Sequence, residues 1–225
     1  MYFGLACEGT TDQIVLETVI CGYFDDEDLD DEIHQFQPPF DESKRKQAGF
    51  GGWELLLEYL RSTRFRDDAL NCNYMVVHVD TDISKNIGFD VPHVNERNEE
   101  ITVDLLTENV INRLTQEINS GKAGFYDEHS EKIIFCIAVH SIECWLNAYY
   151  DTKKLNNPKI KNCEKGLRYI LVNKHSYKDR EIVKDYDFYK ILSEPLLDNR
   201  VLEKLKAKDP SLSHFVGQLD AIEAP

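Results

Sequence analysis

Asn73–Asp82, NYMVVHVDTD, is the stretch whose reading decides the fold. Tyr74, Met75, Val76, Val77 and Val79 form a near-continuous apolar run, and it stops at Asp80-Thr81-Asp82. Such a run, closed abruptly by polar residues, predicts a strand buried on both faces of a parallel sheet. In open α/β sheets, ligands and reacting groups gather outside the carboxyl ends of such strands. Two carboxylates one residue apart at that edge repel each other unless a cation lies between them, and a divalent ion held by oxygen ligands is the usual answer. A solvated Asp-rich turn is the plainer alternative.

Upstream, Tyr2–Cys7 (YFGLAC) predicts a first strand, followed by Glu8-Gly9-Thr10-Thr11-Asp12. Thr10 with Gln13 matches a capping box, so a helix is expected to start here. Ile14, Val15, Thr18 and Val19 continue it to Gly22, where it should end. Gly9 allows the tight turn that aims Glu8 at the strand edge. Asp12 falls in the first helical turn, where the helix dipole favours a carboxylate whatever else it does. Asp25–Glu32, with seven acids in eight positions, reads as a solvated loop. Ile33–Gln37 reads as a short strand stopped by Pro38-Pro39. A polar loop then runs to Gly51-Gly52, and Trp53–Ser62 is an amphipathic helix.

Downstream, Ile83–Asn98 has no periodicity and is expected to cross the active edge as a loop. Apolar residues from Ile101 to Ile118 recur at helical spacing and end at Gly121. Glu131–His140 (EKIIFCIAVH) predicts another buried strand, with Ser141 as the N-cap of the next helix and Glu143 in its first turn. His78 and His140 are expected to be structural histidines. His140 with Cys144 falls short of a zinc site, and Trp145, Tyr149 and Tyr150 are expected on a core face.

At 225 residues the chain can bury a real core. No apolar run approaches a membrane span, and Met1–Cys7 lacks the basic start of a signal peptide. The six cysteines show no paired zinc spacing, and most are expected to be reduced core residues of a cytoplasmic protein. The net charge of −15 argues against generic nucleic-acid binding, yet it is uneven. Tyr150–Lys208 carries 15 basic residues against 9 acidic ones, which leaves −21 for the remainder. Shorter Lys-rich helical pieces broken at Pro158, Pro195 and Pro210 therefore predict a basic helical lobe, 151–225, packed on an acidic α/β core, 1–150.

Three acidic clusters follow three expected strands: Glu8/Asp12, Asp80/Asp82 and Glu143. In a parallel sheet those ends point the same way, so the acids can converge on one or two divalent ions. Two-metal sites of this kind support phosphodiester cleavage. The glutamate-glycine turn of YFGLACEGTTD and the DxD of MVVHVDTD resemble the Toprim family. The Glu8/Asp12 spacing resembles the metal-binding pair of overcoming-lysogenization-defect nucleases. HSIECWLNAYY is similar to a motif of small standalone Toprim effectors of phage-defence loci, the nuclease halves of ATPase–nuclease pairs such as AbiL, PARIS and RloA/RloB.

The resemblance implies a Toprim, Rossmann-like fold with a mostly parallel sheet of about four strands. It implies Mg²⁺ or Mn²⁺ held by Glu8, Asp12, Asp80, Asp82 and Glu143, with Glu8, Asp80 and Asp82 catalytic. The family also uses a lysine; Lys85, three residues past the DxD, is the nearest candidate. The implied activity is a toxic antiphage nuclease acting on DNA or transfer RNA. Expected partners are nucleic acid, an ATPase and a second copy of the chain in a homodimer, with no membrane. Two alternatives stand: a non-catalytic Toprim module that binds a partner or nucleotide, and a haloacid-dehalogenase-type phosphatase. DTDIS at Asp80–Ser84 approximates the phosphatase motif, although that motif normally follows a first strand.

Overall fold

The computed structural model of the chain describes residues 1–39, 51–151 and 161–222. The polar loop before Gly51 and the Lys153, Lys154, Pro158 and Lys159 part of the basic lobe lie outside the described residues. Four strands, β1 (Phe3–Ala6), β2 (Ile33–Gln37), β3 (Tyr74–Asp80) and β4 (Ile133–Ala138), form one sheet in the order β2-β1-β3-β4. Every neighbouring pair is parallel. The strand nominated from its apolar run, β3, is thus interior, with β1 on one side and β4 on the other.

Helices cover both faces, which is why the strands read as continuous apolar runs. On one face Met75, Val77 and Val79 of β3 pack with Phe135 and Ile137 of β4 against α2 (Trp53–Arg61), α3 (Thr63–Asn71), α4 (Val103–Gly121) and α5 (Phe125–His129). On the other, Phe3, Leu5, Val76 and Cys136 pack against α1 (Thr10–Phe24) and α6 (Glu143–Tyr150). The same cluster takes in α7 (Cys163–Lys174), α8 (Tyr186–Ser193), α9 (Asn199–Lys206) and α10 (Pro210–Leu219). The C-terminal helices therefore share a core with the sheet. From α10, the Gln218 amide accepts from Phe135 N (3.2 Å) and donates to Phe135 O (2.7 Å), which covers the open edge of β4. Among the described residues no helix is long and apolar enough to cross a membrane.

Three local expectations need correction. α1 starts at Thr10 as expected, but the reciprocal cap is Asp12, whose carboxylate takes the Gly9 N–H at 2.8 Å. Gln13 instead donates to the Pro38 carbonyl at 2.7 Å. α1 also runs past Gly22 to Phe24 and stops with Asp25 in the left-handed conformation (φ 53°). Gly22 is there for close approach, since a Cβ would lie 2.0 Å from the Leu196 carbonyl oxygen. The acidic block is not a loop: Glu27–Glu32 forms a 3₁₀ helix capped by Asp26 and anchored by buried Leu29. As expected, most cysteines are reduced core residues: Cys7, Cys21, Cys72 and Cys136 are free and buried, whereas Cys144 and Cys163 form a disulfide. That pairing, 19 residues apart, has no motif in the sequence; it arises because α7 packs on α6.

Candidate metal centre

The carboxyl ends of β1, β3 and β4 bring the acids together through backbone contacts. The carbonyl of Glu8 accepts from Gly52 N at 2.8 Å, and Gly51 (φ +120°) passes so close that a Cβ would lie 2.3 Å from that oxygen. This close pass, possible only for glycine, supports the turn carrying Glu8. Asp12 is fixed by its bond to Gly9 N. Asp80 Oδ1 accepts the Ile142 N–H at 2.9 Å and so takes the N-terminus of α6. The N-cap position of that helix is Ile142, one residue past the expected Ser141. The Asp82 N–H donates to the His140 carbonyl at 3.0 Å, joining the DxD turn to the end of β4.

One carboxylate oxygen each from Asp12 and Asp80 and a ring nitrogen of His78 lie within 4.8 Å of one another, all three residues buried. His78 Nδ1 is 2.9 Å from the carbonyl of its β4 neighbour Cys136, and His78 Nε2 is 3.3 Å from Asp80 Oδ1. His78 Nε2 and Glu8 Oε2 are both buried without a hydrogen-bond partner. Burial pushes the Glu8 carboxyl up to about 9, and Asp80 and Asp12 add to the shift. Burial likewise pushes Asp80 up to about 7, against the opposing influence of the His78 imidazole 3.3 Å away. Asp12 is raised by burial despite His78.

Glu143 behaves differently. Its buried Oε1 accepts from Tyr189 Oη at 2.7 Å and from Lys184 Nζ at 3.0 Å. Burial opposes ionisation, but Lys184 and hydrogen bonds from Ser141 and Tyr189 outweigh it and hold the carboxyl below its ordinary value. Lys184 is raised in turn: burial lowers it, and Glu143, Asp12 and Asp80 more than compensate. A second ion was expected on Asp12 and Glu143, and the structure sets different partners against each. Asp12 groups with His78 and Asp80, and Glu143 is balanced by an ammonium and a phenol.

Asp82 is exposed at the mouth of a cleft of about 470 Å³, with its carboxyl raised by desolvation and by Glu143. Glu143 and Lys184 line the same cleft, as do His93, His140, Lys161 and Lys165. The 83–98 segment thus crosses this edge, as expected, with Lys85 and His93 on the wall. Lys85 is exposed there, and the lysine that meets the buried carboxylates is Lys184.

Sequence reasoning missed Lys184 and set His78 aside. Strand alternation could have found His78, which shares a face with Asp80 two residues on. No comparable signal marks Lys184, about a hundred residues from the DxD in a segment without periodicity. Trp145, by contrast, is core as expected, stacked on Phe215 and bonded to Ser211.

The donor set suits a divalent cation. Two buried carboxylates face an imidazole, a third carboxylate has an orphaned oxygen, and among the described residues Lys184 is the one lysine ion-paired to an acid of this edge. Comparison with family models, with curated proteins and with solved structures returns no match for this chain.

Proposed function

We propose that this chain is a divalent-metal-dependent nuclease of Toprim type that hydrolyses phosphodiester bonds in DNA or RNA, transfer RNA included. The observation that carries this reading is the convergence of Glu8 and Asp12, from the end of β1, with Asp80, from the end of β3. Asp12 and Asp80 form a buried cluster with His78, Glu8 beside them has an orphaned oxygen, and a lysine-bearing cleft lies at the same edge. Asp12 and Asp80, with His78 and Glu8 around them, would hold the cation, and Mg²⁺ or Mn²⁺ bound there supplies Lewis acidity toward phosphate oxygens.

The chain's own groups account for the rest. Lys161, Lys165 and Lys85 attract the backbone phosphates into the cleft. Lys184, held by Glu143, presents an ammonium where negative charge develops on the phosphate. Glu8, with an unpartnered oxygen beside the cluster, would serve as a ligand of the cation or as a general acid/base toward the departing oxygen. With Lys184 beside the carboxylates, a non-catalytic module loses the argument that no lysine is at hand.

The net charge of −15 opposes unaided binding of a polyanion, so delivery or activation by a partner follows, an ATPase on the Toprim-effector resemblance. The biological role proposed is a toxic effector of antiphage defence. The test is purified protein with Mg²⁺ or Mn²⁺ and either DNA or transfer RNA, with and without the ATPase. Metal-dependent cleavage that disappears in Glu8→Gln and Asp80→Asn is the expected result, and cleavage unchanged in both rejects the mechanism.

A further inference from the structure

The geometry points to His78 as a direct nitrogen ligand of the metal centre, which makes the site one for Mn²⁺ in preference to Mg²⁺. The inference rests on reading this edge as a metal site and specifies which ion it takes. An all-carboxylate pocket is the chemistry of hard ions, whereas an imidazole donor favours first-row transition ions. His78 is fully buried on β3 and faces the same side as Asp80.

The hydrogen-bond pattern fixes its tautomer. A carbonyl can only accept, so the 2.9 Å contact with Cys136 O puts a proton on Nδ1. Nε2 is left toward the Asp12 and Asp80 oxygens. A ring N–H given to a backbone carbonyl, with the other nitrogen aimed at carboxylates, is how metal-ligating histidines are oriented.

Three electron-rich atoms cannot face one another without a cation, and there are two candidates: a proton on Nε2 or a metal ion. Two observations favour the metal. His78 Nε2 lies 3.3 Å from Asp80 Oδ1 yet makes no hydrogen bond with it, so an N–H there would be poorly directed. Glu8 Oε2 is also buried and unpartnered beside the cluster, and one proton on His78 would leave it so.

The experiment is Mn²⁺ added to the purified full chain, followed by pulsed electron paramagnetic resonance on protein with ¹⁴N- or ¹⁵N-labelled histidine. Calorimetric titrations with Mn²⁺ and with Mg²⁺ accompany it. The expected result is one directly coordinated histidine nitrogen and Mn²⁺ binding roughly tenfold or more tighter than Mg²⁺. The nitrogen coupling should vanish in His78→Gln. If that buried variant does not fold, the coupling should persist in both His93→Gln and His140→Gln, which leaves His78 as its source at this edge. Mn²⁺ bound with no nitrogen coupling, and no tighter than Mg²⁺, overturns the inference and leaves an all-carboxylate metal site standing. No binding of either ion overturns the metal site as well and makes the imidazolium the resident cation.

Discussion

Glu8 and Glu143 sit at the same edge of one sheet, after β1 and β4, and meet opposite fates. Glu143 is buried with Lys184 and Tyr189 on one of its oxygens, and it is held ionised. Glu8 has an oxygen with no partner, three acids for neighbours, and a carboxyl pushed up to about 9. The difference divides the edge into a half whose charge the protein balances itself and a half that it leaves unbalanced. Burial alone cannot be the cause, because it opposes ionisation of both residues. What differs is whether a cationic side chain reaches the carboxylate.

The most severe test of this division is Asp80→Asn, which keeps the shape of the residue and removes a charge from the unbalanced half. Hydrolysis should fall by about 10³-fold or more, as expected when a central electrostatic element of a reaction site is removed. Binding of Mn²⁺ should be lost with it. Folding should survive, because Asn caps helix N-termini about as well as Asp and can still accept the Ile142 N–H. A purified, folded Asp80→Asn chain that cleaves at the parental rate would remove the site from this edge.

Lys184→Met attacks the balanced half. The ammonium is the largest influence holding Glu143 ionised, so its loss should raise the Glu143 carboxyl and make it resemble Glu8. Cleavage should drop by about 10²–10³-fold. Carbon-detected titration of labelled glutamate side chains reads the first effect and a gel assay the second. If Glu143 stays low in this variant, the hydroxyls of Tyr189 and Ser141, not the ammonium, hold it.

The two halves also predict opposite responses to pH. For Glu8 and Asp80 the folded state binds protons more tightly than the unfolded chain, so their contribution to stability is present below the unfolded values. It is lost as pH rises through about 7 for Asp80 and about 9 for Glu8. Glu143 has the reverse sign, and its contribution is already complete above its unfolded value. Metal-free protein should therefore lose thermal stability steadily from about pH 5 to about pH 9. Saturating Mn²⁺ should flatten or reverse the slope, because a bound cation favours the ionised acids. Glu8→Gln should remove the high-pH part of the slope. A metal-free Tm that does not fall over this range would show that the carboxyls are not raised.

How far this division was legible in the sequence follows from the range of the forces involved. The parallel sheet, the interior position of NYMVVHVDTD and the placing of Glu8, Asp12, Asp80 and Glu143 at strand ends all follow from local pattern. Apolar runs and turn residues carry that information within ten residues or so. The pairing of Glu143 with Lys184 does not, because it depends on how α8 and the segment before it dock against α1 and α6. Gly22 misled for the same reason: its lack of a side chain serves contact with Leu196, 174 positions away, and the helix runs through it. The Cys144–Cys163 bond is likewise a product of docking.

The smallest expected effect is the most specific. Tyr189→Phe removes one neutral donor from Glu143 and leaves the Lys184 contact in place. A hydrogen bond to a buried charged group contributes about 1.5–3 kcal/mol, so the unfolding free energy from denaturant titration should fall by an amount in that range. Cleavage should change less than in Lys184→Met, because the hydroxyl is bonded to Glu143 and does not line the cleft. The two variants therefore separate two reasons for balancing this glutamate. If Tyr189→Phe harms stability and Lys184→Met harms chemistry, the phenol completes the core, and the ammonium belongs to the reaction and holds Glu143 ionised as its anchor. If both lower cleavage equally, Glu143 itself must be placed by both groups, and the balanced half of the edge is as much part of the working site as the unbalanced one.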